Sequence, residues 1–196
     1  MKTVKSFIKE WGSFILILTL FFLSWMFIWF NVRVEGHSMD PTLKDGQRLF
    51  VLKVTPIDRF DIVVAQDGDK KVVKRVIGMP GDTITYSNDK LSVNGQEVQE
   101  DYLNEYVTAF QKDKLQATYS YNSMFQQLAN QASAFTVDAN GSAEFSVTVP
   151  QGQYYLLGDD RLVSKDSRAV GTFSEEQLIG EVAFRFWPVS NLGTVK

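Results

Sequence analysis

Ser38, within Gly36-His37-Ser38-Met39-Asp40-Pro41, and Lys74, within Val72-Val73-Lys74-Arg75-Val76, are the residues whose types and settings could do chemistry together. A serine hydroxyl is a weak nucleophile until a neighbouring base takes its proton. The chain has one histidine, His37, directly beside Ser38, and no cysteine. In an extended segment adjacent side chains point to opposite faces, so His37 is badly placed to serve Ser38. A thiol nucleophile is excluded, and a single histidine argues against a protein zinc site. Arginine keeps its charge, which leaves lysine as the base. A lysine can serve only where apolar surroundings make its ammonium costly and bring its pKa down toward neutrality. Lys70 and Lys71 follow Asp67 and Asp69 in a polar loop. Lys74 would share a strand face with Val72 and Val76, leaving Val73, Arg75 and Ile77 on the other. A strand lysine that snorkels its amine to water is the competing reading, and this segment alone leaves it open.

A second run, Gly158-Asp159-Asp160-Arg161 through Ser164-Lys165-Asp166-Ser167-Arg168, holds charges at a density that describes either a solvated loop or a buttress. In the second case Asp166 and Arg168 pair, and the Ser164 hydroxyl orients the Lys74 amine. Two other matches are set aside. Ser87-Asn88-Asp89-Lys90 fits a Ser-x-x-Lys pattern but lies in a polar turn, without the partner motifs that pattern requires. Asp67-Gly68-Asp69 is too short for a calcium loop.

The elements that must position Ser38 begin with an anchor. Lys2, Lys5 and Lys9 stand against one acid, Glu10, and no charge appears from Trp11 through Val32. About 22 helical residues at ~1.5 Å each span roughly 33 Å, enough for a hydrocarbon core of about 30 Å. Tryptophans near both ends suit interfacial belts, and the lysines put the N-terminus in the cytoplasm with the rest outside. A cleaved signal peptide would have a shorter apolar run ending in small residues, whereas this one ends Ile28-Trp29-Phe30-Asn31. Asp40-Pro41 is a turn signal, and its ring could hold Ser38 in a defined pose; an ordinary turn has the same signature.

Short β-branched runs at 48–52, 60–65, 70–77, 83–86, 91–98, 143–149, 153–157 and 182–187 read as strands, with Asn94-Gly95 as a hairpin turn. From about 100 to 141 Tyr, Gln, Asn, Ser and Ala dominate, alternation fades, and a helix within 114–133 is one option. The chain of 196 residues, 44% of them hydrophobic, can hold one domain with an insertion besides the anchor. The expected parts are a cytoplasmic N-terminus (1–10), an anchor (11–32), a core (33–99 and 151–196) and an inserted subdomain (100–150). A net charge of -3 offers no basic surface for nucleic acid. The absence of cysteine fits either side of a membrane.

The anchor, Ser38-Met39-Asp40-Pro41-Thr42-Leu43, Asp61-Ile62-Val63-Val64, Lys74-Arg75-Val76-Ile77-Gly78-Met79-Pro80-Gly81-Asp82, and the run from Gly158 to Arg168 resemble the ordered signature blocks of type I signal peptidases, in the single-anchor Gram-positive form. The resemblance implies a mostly β fold: a signal-peptidase-like catalytic core with an inserted subdomain and one N-terminal transmembrane helix. It implies a serine endopeptidase of the cell membrane with its catalytic domain outside, using no cofactor and no metal. Its partners would be the lipid bilayer and secreted preproteins, pilin precursors among the candidates. Residue by residue, Ser38 matches the family's nucleophile, Lys74 its general base, and Ser164 a hydroxyl that orients the lysine. Asp159, Asp166 and Arg168 match a structural ion-pair group, and Val34 and Val73 match apolar positions lining the pockets for residues before the cut. Two positions depart from the pattern. Gly36 stands where some members have a serine that helps bind the oxyanion. Asp160 stands where asparagine is common, and its extra charge near Lys74 is expected to raise the lysine pKa. A silent relative serving as a scaffold for secretion or pilus assembly would be expected to lack Ser38 or Lys74, and both are present. A self-cleaving repressor shares the chemistry but needs a DNA-binding module in place of the anchor.

Overall fold

The computed structural model describes residues 4–195, so Lys2 of the N-terminal lysine group lies outside the described residues. Helix α1 (Val4–Phe27) opens the chain, and within it Ser6–Trp25 is long and apolar enough to cross a membrane. Its apolar side chains, Phe7, Phe14, Ile17 and Phe22 among them, face outward rather than into a core. The uncharged run does not continue as helix to Val32. It breaks after Phe27, and Trp29–Arg33 forms strand β1, antiparallel to β2 (Arg48–Leu52). Composition could not separate the two because a membrane helix and a strand entering a sheet are equally apolar; what stops the helix is the backbone partner that β2 supplies.

The catalytic part is built from β3 (Ile62–Asp67), β4 (Lys70–Gly78), β5 (Thr83–Ser87), β6 (Lys90–Val93), β7 (Gln96–Val98), β8 (Glu144–Thr148), β9 (Gln153–Leu157), β10 (Phe173–Ser174) and β11 (Leu178–Trp187). Among the described residues these strands form two antiparallel sheets, ordered β1-β2-β11-β3-β4-β9-β10 and β7-β6-β5-β8. The central strand β3 is buried on both faces. Ile62 and Val64 pack with Leu49, Val51 and Val182, while Val63 and Ala65 pack with Val76, Leu156 and Phe173 on the other side. The first of these clusters includes Val34, Met39 and Leu43, so the loop that carries Ser38 is pinned by apolar side chains on either side of it. The two sheets share a third cluster, in which Ile77, Tyr155 and Leu157 meet Ile84, Tyr86, Leu91 and Val93.

The polar stretch after residue 100 contains two helices, α2 (Asn104–Asp113) and α3 (Ser123–Gln131), joined through Lys114 and Leu115 in left-handed conformation. The Asn122 side chain caps α3 by accepting from the N–H groups of Met124 and Phe125. Tyr106, Phe110, Leu115, Tyr119, Ala129 and Phe135 give this excursion its own small core, with Leu162 and Val163 packed against it. The helices lie partly outside the 114–133 window because α2 precedes it. Strand β8, near the end of the stretch, belongs to the second sheet through its pairing with β5. The excursion is fastened by Arg161, a buried guanidinium that bonds Glu100, Tyr86 and Thr136.

Candidate active site

Strand β4 carries Lys74 with its side chain almost wholly buried, 4% exposed. Toward its N-terminal end the strand pairs with β3 from Lys70 to Arg75, whereas its pairing with β9 begins only at Arg75. Among the described residues, Lys70 to Lys74 therefore has one edge without a strand partner. Against that edge lies the loop that follows β1, which continues the β1–β2 ladder through Val34 N–H to Gln47 O (2.8 Å) and Gly46 N–H to Val34 O (2.9 Å). Gly36 takes φ +82, a conformation that favours glycine, and its N–H donates to Asp45 Oδ1 at 2.8 Å. The chain then turns through Ser38.

Here the two residues meet. Lys74 Nζ lies 2.8 Å from Ser38 Oγ, so the amine is within direct proton-transfer distance of the hydroxyl. Burial lowers the Lys74 pKa to about 8, against a partial upward pull from Asp166 and Asp159. The amine does not snorkel to water. Val34, Ser38, Val72, Val73 and Lys74 line one cleft of about 140 Å³. Consecutive strand residues line it, from Lys71 to Lys74, which the open edge of β4 permits and a sheet face would not.

The Gly158–Arg168 run closes the site from behind, with most of its charges paired and buried. Asp166 accepts two bonds from the Arg168 guanidinium, at 2.8 and 2.7 Å, one from the Arg168 N–H at 3.2 Å, and one from the Gly158 N–H at 3.0 Å. Burial works against ionisation of this carboxyl, but Arg168 and the Gly158 N–H hold its pKa below the usual range. Asp159 is ion-paired too, with a partner the sequence reading did not name. Its carboxylate is paired not within the run but with Arg75, through Nε (2.9 Å) and Nη2 (2.7 Å), and it accepts from Thr42 Oγ1 at 2.6 Å. Since Arg75 neighbours Lys74 and Thr42 lies four residues past Ser38, this pair locks the Lys74 strand to the Ser38 loop.

Ser164 is placed differently from expectation. Its hydroxyl makes no hydrogen bond among the described residues, to Lys74 or otherwise. Its proximity to Asp166 helps keep that carboxyl ionised, although the two do not meet hydrogen-bond geometry. Ser164 Oγ and the Ser38 carbonyl oxygen both crowd Gly158, where an added Cβ would overlap each of them. A glycine is required there by close approach rather than by backbone angle.

Asp160 departs from expectation as well. It does not stand among the main charges acting on Lys74. It is itself the perturbed group: burial raises its pKa to about 7, although Tyr119 donates to its Oδ1 at 2.6 Å. Burial beside this acid in turn raises the Tyr119 phenol. The Asp160 N–H donates to the Ser38 carbonyl at 3.1 Å, so the run touches Ser38 through main chain.

Arg75, Thr42, Gly158 and Tyr119 were missed by sequence reasoning. Arg75 alone had a signal: an arginine on one face of a strand full of valines must find a carboxylate if that face is covered. A hydroxyl held by a buried, readily deprotonated amine in a cleft at a sheet edge is an arrangement for acyl transfer to serine.

Comparison with known proteins gives the same class. The family model described as signal peptidase, peptidase S26, matches residues 8–187, and the chain belongs to this family. It is 59% identical to signal peptidase I of Streptococcus pneumoniae (strain ATCC BAA-255 / R6), over 99% of this chain and 100% of that one. It is 38% identical to signal peptidase IB of Staphylococcus aureus (strain COL), over 95% and 93%. A crystal structure of a signal peptidase I from Enterococcus faecalis V583 covers 66% of this chain and 99% of its own, at 28% identity and a TM-score of 0.49. The protein is accordingly an enzyme, a serine peptidase of the signal peptidase I type.

Proposed function

We propose that Ser38 is the nucleophile and Lys74 the general base of a membrane-anchored endopeptidase that removes signal peptides from secreted preproteins after Ala-x-Ala-like sites. The observation that supports this most is the 2.8 Å separation of Lys74 Nζ from Ser38 Oγ, with the amine buried. Neutral Lys74 takes the hydroxyl proton as Ser38 Oγ attacks the carbonyl of a small residue. The Ser38 N–H stabilises the oxyanion, with Gly36 offering no side-chain hydroxyl to help. Protonated Lys74 then gives its proton to the leaving amine, and water hydrolyses the acyl-enzyme with the lysine again as base.

The substrate binds extended along the open edge of β4, its backbone adding to the sheet. Alternate side chains then enter the cleft, where Val34 and Val73 leave room for small groups only, which accounts for the alanines. Asp159, Asp166 and Arg168 hold the loops in place, and Ser164 fills the space behind the Ser38 carbonyl. Helix α1 crosses the bilayer with its lysine-bearing end in the cytoplasm, and β1 sets Ser38 a short distance above the outer surface, where cleavage sites emerge. Secreted preproteins are the substrates, pilin precursors included among those to try.

The test uses the full chain in detergent with a preprotein carrying an Ala-x-Ala site, comparing wild type with Ser38→Ala and Lys74→Ala. Cleavage after the second alanine by wild type alone is the expected result. Near-wild-type cleavage by either variant removes that residue from the chemistry.

A further inference from the structure

The nucleophile loop lines a second cavity, of about 410 Å³, that the mechanism above does not use. Different residues of the same loop line the two cavities. Glu35, Ser38 and Met39 face the cleft, while His37, Asp40, Lys44 and Asp45 face the second cavity. Glu105 from α2 and Tyr121 from the turn before α3 form the opposite wall. The His37 ring sits 5.1 Å from that of Tyr121 and 5.9 Å from that of Phe125, so part of the wall is aromatic. Its volume falls in the range of ~300–1,000 Å³ usual for ligand sites, enough for a short peptide segment.

Two observations point to an occupant. The first is polar: Asp40 is 7% exposed, accepts or shares a proton with His37 Nδ1 at 3.0 Å through Oδ2, and its buried Oδ1 has no hydrogen-bond partner among the described residues. The second is topological. An endopeptidase cuts inside a chain, so substrate must continue past Ser38 on both flanks, at ~3.3 Å per extended residue. The catalytic cleft takes the residues before the cut. The Ser38 loop lines the second cavity as well, on its His37 side.

We propose that this second cavity receives the segment that follows the scissile bond, and that its charge makes the enzyme favour basic over acidic residues there; this rests on Ser38 being the nucleophile. Asp40, Asp45 and Glu105 outnumber the positive groups Lys44 and His37. When the bond from the acyl carbon to the amine nitrogen breaks, Lys74 supplies the proton to that nitrogen. The new terminus, with an ordinary α-amino pKa of about 8, is mostly an ammonium at neutral pH. Carboxylates in the cavity stabilise that ammonium, and a protonated amine cannot attack the acyl-enzyme to re-form the bond.

The experiment presents the full chain, in detergent, with two peptides mixed together. They are identical through the cleavage site and carry Lys or Glu at the second and third positions after it. The ratio of kcat/KM values within each enzyme variant cancels any difference in active fraction. Wild type should favour the Lys peptide about three- to ten-fold, the size expected for one or two charges at several ångströms in a wet cleft. Glu105→Lys should reduce or reverse the ratio, and Lys44→Glu should increase it. Both positions are exposed, and neither side chain supports a core cluster. Lys112→Glu, on α2 but outside the cavity, should leave the ratio alone. A ratio near one in wild type, or one unmoved by both cavity variants, overturns the proposal, as does an equal shift from Lys112→Glu. Cleavage that survives Ser38→Ala would instead overturn the reading on which it rests.

Discussion

Activity should follow the deprotonation of Lys74. The amine is lowered from 10.5 to about 8, a shift that corresponds to roughly 3 kcal/mol in favour of the neutral form. Its cause is burial, only partly offset by Asp166 and Asp159. The neutral fraction is then about one-half at pH 8, roughly a tenth at pH 7 and roughly a hundredth at pH 6. Log kcat/KM against pH should rise with unit slope up to about pH 8 and level off above it. A fluorogenic peptide with an Ala-x-Ala site, assayed in a constant-ionic-strength buffer series from pH 5.5 to 9.5, gives the profile. One other group could imitate the limb. Asp160 titrates near 7 and touches Ser38 through its backbone, so its ionisation could reshape the loop. Asp160→Asn separates the two: if Lys74 controls the limb, it stays near pH 8 in the variant. A profile flat between pH 6 and 9, or a limb abolished by Asp160→Asn, would refute Lys74 as the titrating base.

Stability carries the same signs. The folded pKa of Lys74 lies below its unfolded value, so its burial destabilises the fold at neutral pH and the penalty fades as pH rises from about 8 to 10.5. Lys74→Met should therefore lose activity yet raise stability at pH 7 by about 1–3 kcal/mol in urea unfolding, the gap from wild type closing toward pH 10. For Asp160 the folded pKa is raised, so its cost is full above pH 7 and absent below about 4; Asp160→Asn should stabilise at pH 8 by about 1–3 kcal/mol and hardly at all at pH 4. Asp159→Ala strands Arg75 as a buried unpaired cation and should cost about 3–5 kcal/mol, read as a lowered urea midpoint. Gly158→Ala pushes Ser164 and the Ser38 carbonyl apart, and should lower kcat/KM about 100-fold or more with far-UV circular dichroism unchanged.

What could be read from sequence was what depends on local periodicity. Alternation in Val72-Val73-Lys74-Arg75-Val76 was enough to pick the lysine whose amine would be buried, because a strand assigns faces by counting. The Asp166–Arg168 pair was legible for the same reason, two residues apart on one loop. Arg75 lay in the same counted strand, yet its carboxylate partner is 84 residues away, a distance over which spacing says nothing. Tyr119 lies 41 residues from Asp160, in a stretch whose helices are short and polar outside and whose aromatic core shows no regular period. That distance explains the error over Asp160: read as one more charge acting on Lys74, it is a desolvated acid under a phenol from the excursion, and it does not stand among the main charges on that amine. Strand β1 was hidden for a different reason, since Trp29 to Val32 satisfies lipid and sheet equally and only β2 decides between them. Ser164 marks the limit of inference from role to contact. A hydroxyl expected beside a buried lysine invites a hydrogen bond, but the space is set by Gly158, whose missing side chain admits both Ser164 and the Ser38 carbonyl. The space around Ser38 is thus governed by a residue with no functional group, which a search among chemically capable side chains would pass over.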